Sequence, residues 1–120
     1  MGFFIFGGEL MKKAYRVKKS SEIEAIIRHK KSVGSKHFVL YTKKNHGQNH
    51  FRFAVSVSKK FGNAVERNVA KRRVREIISK LDIDDCYDVF VVIKNNANTI
   101  SFEMFQKEIT SLAIKLKIMR

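Results

Sequence analysis

Arg67, Asn68, Lys71, Arg72 and Arg75 follow one another at one-, three- and four-residue steps in a stretch free of glycine and proline. Guanidinium and ammonium groups repeated at that spacing suit phosphate oxygens, with arginine acting as a planar, bidentate donor. At about 100° per residue and with Arg67 at zero, Lys71 lies at ~40°, Arg75 at ~80°, Asn68 at ~100° and Arg72 at ~140°. They share one face. Ala70, Val74, Ile77 and Leu81 fall at roughly 280–340°, so an apolar stripe runs beside the cations and lets the helix dock and bind at once. A solvated charged face ordinarily mixes signs. Here only Glu66 and Glu76 accompany Arg67, Lys71, Arg72, Arg73 and Arg75, and cations stacked at i and i+4 repel one another unless an anion is near. Such a face matches a run of backbone phosphates better than any single small anion.

Protein-borne catalysis has less support. Asp82, Asp84, Asp85 and Asp88 are close together but sit between a helical and a strand-like segment, where they read as solvating a loop. His29, His37, His46 and His50 are dispersed, without the spacing of a paired metal site on one helix. Cys86 is the only cysteine, so no internal disulfide or cysteine-based zinc site can form, and it reads as a small packed residue in a reducing compartment. No glycine-rich phosphate loop or serine-nucleophile motif occurs. The reading is therefore no catalytic residue and no metal ligand in the polypeptide.

The charge belongs to one region. Twenty of the 25 lysines and arginines, but four of the 11 acidic residues, lie between Lys12 and Lys80, a net +16 against −2 elsewhere. That imbalance implies a polyanionic partner. RNA, DNA and an anionic membrane compete, and the membrane ranks last because no apolar run reaches the roughly 20 residues of a span. In 120 residues there is material for one core. Residues 1–11 read as an upstream or disordered extension, with Met11 as a reasonable start, and 12–120 as a single RNA-binding domain.

The elements that must position the cations follow from periodicity. Ser20 or Ser21 can cap a helix from about Glu22 to Lys31 with Ile23, Ile26 and Ile27 on one face. His37 to Lys43 reads as a strand with Phe38 and Leu40 opposite Val39 and Tyr41. Asn45 to Asn49 is a turn, and Phe51 to Ser58 a second strand with Phe51, Phe53, Val55 and Val57 on one face and Arg52, Ala54, Ser56 and Ser58 on the other. Gly62 and Asn63 start the cationic helix, which runs to about Leu81. Tyr87 to Ile93 is an apolar, central strand. A last helix from Ser101 buries Phe102, Phe105, Ile109, Leu112 and Leu116. The order is αββαβα, an α+β two-layer sandwich with a parallel crossover.

Ser56-Val57-Ser58-Lys59-Lys60-Phe61-Gly62-Asn63-Ala64-Val65-Glu66-Arg67-Asn68, followed by Lys71-Arg72 and Arg75-Glu76, resembles the signature of the bacterial ribonuclease P protein family. The likeness extends from Tyr15-Arg16-Val17-Lys18-Lys19 through Phe38-Val39-Leu40-Tyr41-Thr42 to Asp88. It implies an αββαβα fold with a left-handed βαβ crossover, against the general right-handed preference. It also implies a protein subunit that binds a catalytic RNA through Arg67, Asn68, Lys71, Arg72 and Arg75, with Lys59 and Lys60 either extending that surface or simply exposed.

The resemblance further implies that the 5′ leader of precursor transfer RNA crosses a cleft formed by Ile23, Ile27, Val39, Tyr41, Arg52 and Ser56. Family members often carry aromatic residues where Ile23 and Ile27 stand; for these two, core packing and leader contact are both open. A proline common in the family is replaced by Asn95-Asn96, which implies a changed loop. Lys12, Lys13, Arg16, Lys18 and Lys19 form a basic arm that either orders on RNA or stays solvated. The implied activity is removal of the leader by the RNA subunit with Mg2+ held mainly by that RNA and the substrate, in a 1:1 complex in the bacterial cytoplasm and away from membranes. A non-enzymatic, ribosome-associated or general RNA-binding protein is the alternative.

Overall fold

Alternation within strands and the 3.6-residue period within helices place apolar side chains on both sides of one sheet. The computed structural model describes residues 20–45 and 50–119. The basic arm Lys12, Lys13, Arg16, Lys18 and Lys19, the extension over 1–11 and most of the turn after Asn45 lie outside the described residues. The elements are α1 (Ser20–Arg28), β1 (Ser32–Gly34), β2 (Phe38–Lys44), β3 (Arg52–Val57), α2 (Ala64–Lys80), β4 (Tyr87–Ile93) and α3 (Phe102–Leu116). The sheet order is β1-β2-β4-β3, with β2 antiparallel and β3 parallel to β4. The parallel pair is joined through α2, as the strand-helix-strand succession requires. The all-apolar run of β4 is central, as its composition suggests.

The main core lies between one sheet face and α2 and α3. Phe38 and Leu40 of β2, Phe53 of β3 and Val89, Val91 and Ile93 of β4 meet Ala70, Val74, Ile77 and Ile78 of α2 and Phe105, Ile109 and Leu112 of α3. Phe105 is fully buried and stacks edge-on against Phe38, with ring centroids 5.0 Å apart. This is the expected two-layer packing. Among the described residues α1 is the one helix on the opposite face, where Ile26 packs with Ala54 and Phe90, flanked by Ile23, Tyr41 and Val92.

Two local differences from the sequence reading have plain causes. Helix α1 ends at Arg28, three residues earlier than periodicity suggests, because Lys30 turns into the left-handed region (φ 62°) and closes the helix. Lys31 to Gly34 then extends along β2, and Ser32, Val33 and Gly34 pair with Tyr41, Leu40 and Val39. Three residues are too few to show alternation in a sequence. After β4, Asn95–Thr99 forms a short 3-10 helix in which Asn96 donates to the Lys36 carbonyl and Asn98 to the Phe61 carbonyl.

Candidate nucleic-acid interface

The cationic helix begins on a reciprocal cap. The Glu66 N–H donates to Asn63 Oδ1 at 2.9 Å and the Asn63 N–H to Glu66 Oε1 at 2.9 Å. Gly62 makes room for this. A Cβ there would stand 2.5 Å from Glu66 Oε1 and 3.0 Å from its Cδ. Lys59 and Lys60 occupy a 3-10 turn just before, capped by Ser58 Oγ accepting from the Lys60 N–H at 3.2 Å, and both are exposed.

Along α2, Ala70, Val74, Ile77 and Ile78 are buried, while Asn68 and Arg72 are exposed and Arg67, Lys71 and Arg75 half-buried. Both acidic residues of the helix are engaged. Glu66 serves the cap, and Glu76 pairs with Lys80 at 3.5 Å. Arg73 belongs to the other side of the helix. Its guanidinium lies 5.6 Å from the Phe105 ring centroid, where it covers the core between α2 and α3. The surface aimed away from the core thus carries Arg67, Asn68, Lys71, Arg72 and Arg75, with Lys59 and Lys60 at its start.

The second group of residues lies on the α1 face of the sheet, and β4 separates its β2 and β3 members. Register gives three rows across this face: Val39, Val92, Ser56; Tyr41, Phe90, Ala54; and Lys43, Asp88, Arg52. Val39 and Tyr41 are half-buried and Ser56 is exposed. Tyr41 leans on Phe90 at a centroid distance of 5.9 Å, so one of its ring faces is already partly used. From α1, Ile23 is half-buried against this floor, Ile26 is 1% exposed and Ile27 is 39% exposed. Packing therefore claims Ile26 and part of Ile23, and Ile27 stands at the rim. Phe90 and Val92 belong to the floor although sequence reasoning missed them, and Ala54 joins them from the strand face that alternation gives to Arg52 and Ser56. An all-apolar strand does not reveal which of its residues face which side, and the insertion of β4 between β2 and β3 is a tertiary fact.

Arg52 is not a loose cation. Its Nε donates to Asp88 Oδ1 at 3.1 Å and its Nη2 to Asp88 Oδ2 at 2.9 Å and to Glu22 Oε2 at 2.8 Å. Asp88 Oδ2 also accepts from Asn45 Nδ2 at 3.1 Å. The Asp88 hydrogen bonds, with burial working against them and Glu22 adding to them, hold the Arg52 guanidinium above its ordinary pKa. Sequence reasoning placed Asp88 in a solvated connection; the structure buries it beside Arg52.

The remaining chemistry is structural. Asp84 accepts from the Cys86 N–H at 3.3 Å and gives its own N–H to the Ile118 carbonyl at 2.8 Å, tying the loop to the chain end. Burial, reinforced by Asp84, raises the Cys86 thiol above its ordinary pKa, which disfavours a thiolate. Among the described residues no group of three or more His, Cys, Asp or Glu is placed to hold a metal ion, and no helix is long and apolar enough to cross a membrane.

Comparison with known proteins agrees with this geometry. A family model described as Ribonuclease P matches residues 11–117. The ribonuclease P protein component of Acholeplasma laidlawii is 41% identical over 110 residues, covering 90% of this chain and 94% of the relative. That of Macrococcus caseolyticus is 45% identical over 109 residues, covering 90% and 92%. The solved structure of the Staphylococcus aureus RNase P protein superposes with a TM-score of 0.79 at 37% identity, covering 90% of this chain and all of that one. The Thermotoga maritima RNase P protein gives 0.72 at 26% identity over 81% and 93%. Matched in sequence over nearly its whole length and in fold to members from different bacteria, the chain belongs to the ribonuclease P protein family.

Proposed function

We propose that this protein is the RNA-binding subunit of an endoribonuclease in which a catalytic RNA removes the 5′ leader of precursor transfer RNA. The observation that carries the reading is the face of α2. Arg67, Asn68, Lys71, Arg72 and Arg75 share one side of a capped helix whose adjoining side is buried, and both acids of that helix are engaged elsewhere. A rigid cationic row of this kind screens the repulsion between two RNAs and tracks a phosphate backbone without reading bases. Lys59 and Lys60 extend it.

The α1 face then takes the single-stranded leader. Tyr41 offers a ring edge and a partly free face, Ile23 and Ile27 an apolar rim, and Val39, Arg52 and Ser56 the floor, a mixture that suits unpaired nucleotides. Mg2+ is assigned to the RNA subunit and the substrate. Among the described residues the most buried carboxylate, Asp88, is already engaged by Arg52 and Asn45, and no group of three or more donors is placed to hold a cation. The chain's own part is to hold RNA and leader in register, one copy per catalytic RNA, in the bacterial cytoplasm.

The test is reconstitution. The full-length protein is added to a bacterial ribonuclease P RNA at low magnesium, and leader removal is followed. Stimulation is expected; its absence at every protein concentration, with equal binding to unrelated structured RNA, would return the general RNA-binding alternative.

A further inference from the structure

Arg52 is shared by two carboxylates in unequal environments. Asp88 is 3% exposed and grips the guanidinium through two hydrogen bonds, which fix its plane. Withdrawing the guanidinium would leave the buried Asp88 carboxylate with Asn45 but no opposite charge, so this half of the arrangement is the durable one. Glu22, in the first turn of α1, has a side chain 35% exposed and meets Arg52 at one atom, Nη2. Swinging this carboxylate into water breaks that one contact and leaves both Asp88 hydrogen bonds to the guanidinium in place.

A phosphate oxygen has the same acceptor chemistry as a carboxylate oxygen and seeks the same guanidinium donor. Two carboxylates on one guanidinium give these three groups a net −1, with Lys43 beyond Asp88 in the same row, so Glu22 cancels the attraction Arg52 would offer an incoming phosphate for as long as it stays. We infer that Glu22 is a displaceable occupant of a phosphodiester site at Arg52, swinging out when a leader phosphate takes its place while Asp88 holds the arginine still. The inference rests on the reading that the α1 face takes the leader. It adds a threshold to that reading. Isolated anions meet a self-bound arginine, whereas a nucleotide chain already held at Tyr41 and along the rim can displace Glu22 because its phosphate is delivered at high local concentration.

The displacement reaches beyond one contact. Glu22 to Arg52 is an ionic tie between α1 and the sheet, so its release leaves the apolar packing of Ile26 and Ile23 to hold α1 there. Leader binding and the placement of α1 are thereby coupled.

The test uses the complex of full-length protein with bacterial ribonuclease P RNA, and equilibrium binding of precursor and mature transfer RNA under conditions that prevent cleavage. Glu22→Gln removes the competing charge and retains the side-chain size. The ratio of precursor to mature affinity should rise about two- to fivefold, the range that loss of one weak, single-contact ion pair allows. An unchanged or lower ratio would overturn the proposal and make Glu22 a tie that only stabilises α1. Should the glutamine variant melt early, Glu22→Asp decides, since the shorter acid keeps its place in the first helical turn and loses reach: a raised ratio supports displacement and an unchanged one overturns it. A wild-type complex that does not distinguish precursor from mature transfer RNA would overturn the leader reading itself, and this inference with it.

Discussion

Arg72 stands exposed at the outer edge of the cationic face, whereas Arg73, one position on, lies over Phe105 and helps close the core. Neighbouring arginines thus have separable roles. Arg72→Ala should weaken binding to the catalytic RNA about tenfold, the lower end for losing a hydrogen bond to a charged group, and leave thermal stability unchanged. It should also flatten the dependence of log K on log salt by about 0.7–0.9 for one lost phosphate contact. Filter binding across a salt series checks both, and an unaltered slope would remove Arg72 from the phosphate path. The cationic face is legible in the sequence because helical geometry assigns direction from residue number alone. The partners of Arg52 are not. Glu22 and Asp88 lie 30 residues before it and 36 after it, and only the fold brings them within hydrogen-bonding distance.

At the scale of elements, the start of α2 decides where that face points. Gly62 is needed for close approach, since a methyl group in its place would press on the Glu66 carboxylate that completes the cap. Gly62→Ala should therefore loosen the first turn and cost about 1 kcal/mol, as loss of a helix cap does. Urea unfolding measures it, and a second substitution sharpens the test. If Glu66→Ala alone and the double change Gly62→Ala with Glu66→Ala are equally stable, the glycine acts through the cap; a further loss in the double variant would mean that crowding against the Glu66 Cβ, 3.2 Å from the new methyl and kept by the alanine, contributes as well. Strand and helix types are readable from period 2 and period 3.6, and the buried stripe of α3 is found where Phe105, Ile109, Leu112 and Leu116 place it. The short β1 strand escapes because three residues carry no period. The floor contributed by Phe90 and Val92 escapes because sheet order is set by tertiary packing rather than by succession along the chain.

Across the whole molecule, a second polar clasp joins the β1–β2 turn to α3. Glu108 Oε1 accepts from Ser35 Oγ at 2.7 Å and its Oε2 lies 2.7 Å from His37 Nδ1, while Lys94 Nζ donates to the Ser35 carbonyl at 2.8 Å. Burial alone would raise the Glu108 pKa. The hydrogen bonds from Ser35 and His37 outweigh it and hold the carboxyl below its ordinary value. The unfolded chain consequently takes up this proton first as pH falls, so the stabilisation is present above the ordinary value of 4.5 and is lost as pH drops through the lower folded value. Glu108→Gln should make the decline in unfolding midpoint below pH 4.5 shallower. Equal declines for both proteins would place the acid sensitivity in other carboxylates. The regional excess of charge and the α+β class are readable from composition and pattern; this clasp is not, since Glu108 lies more than 70 positions from both Ser35 and His37.

The alternation of β4 has one more effect. Asp88, Phe90 and Val92 face α1, and Val89, Val91 and Ile93 face the main core. A slip of one residue would exchange these sets and drive a carboxylate into an apolar layer, while Arg52 would lose its partner. Asp88 therefore acts as a register pin for the strands on both sides of β4. As the one charged residue of β4, Asp88 tells this alignment apart from the slipped ones that its apolar neighbours alone would tolerate.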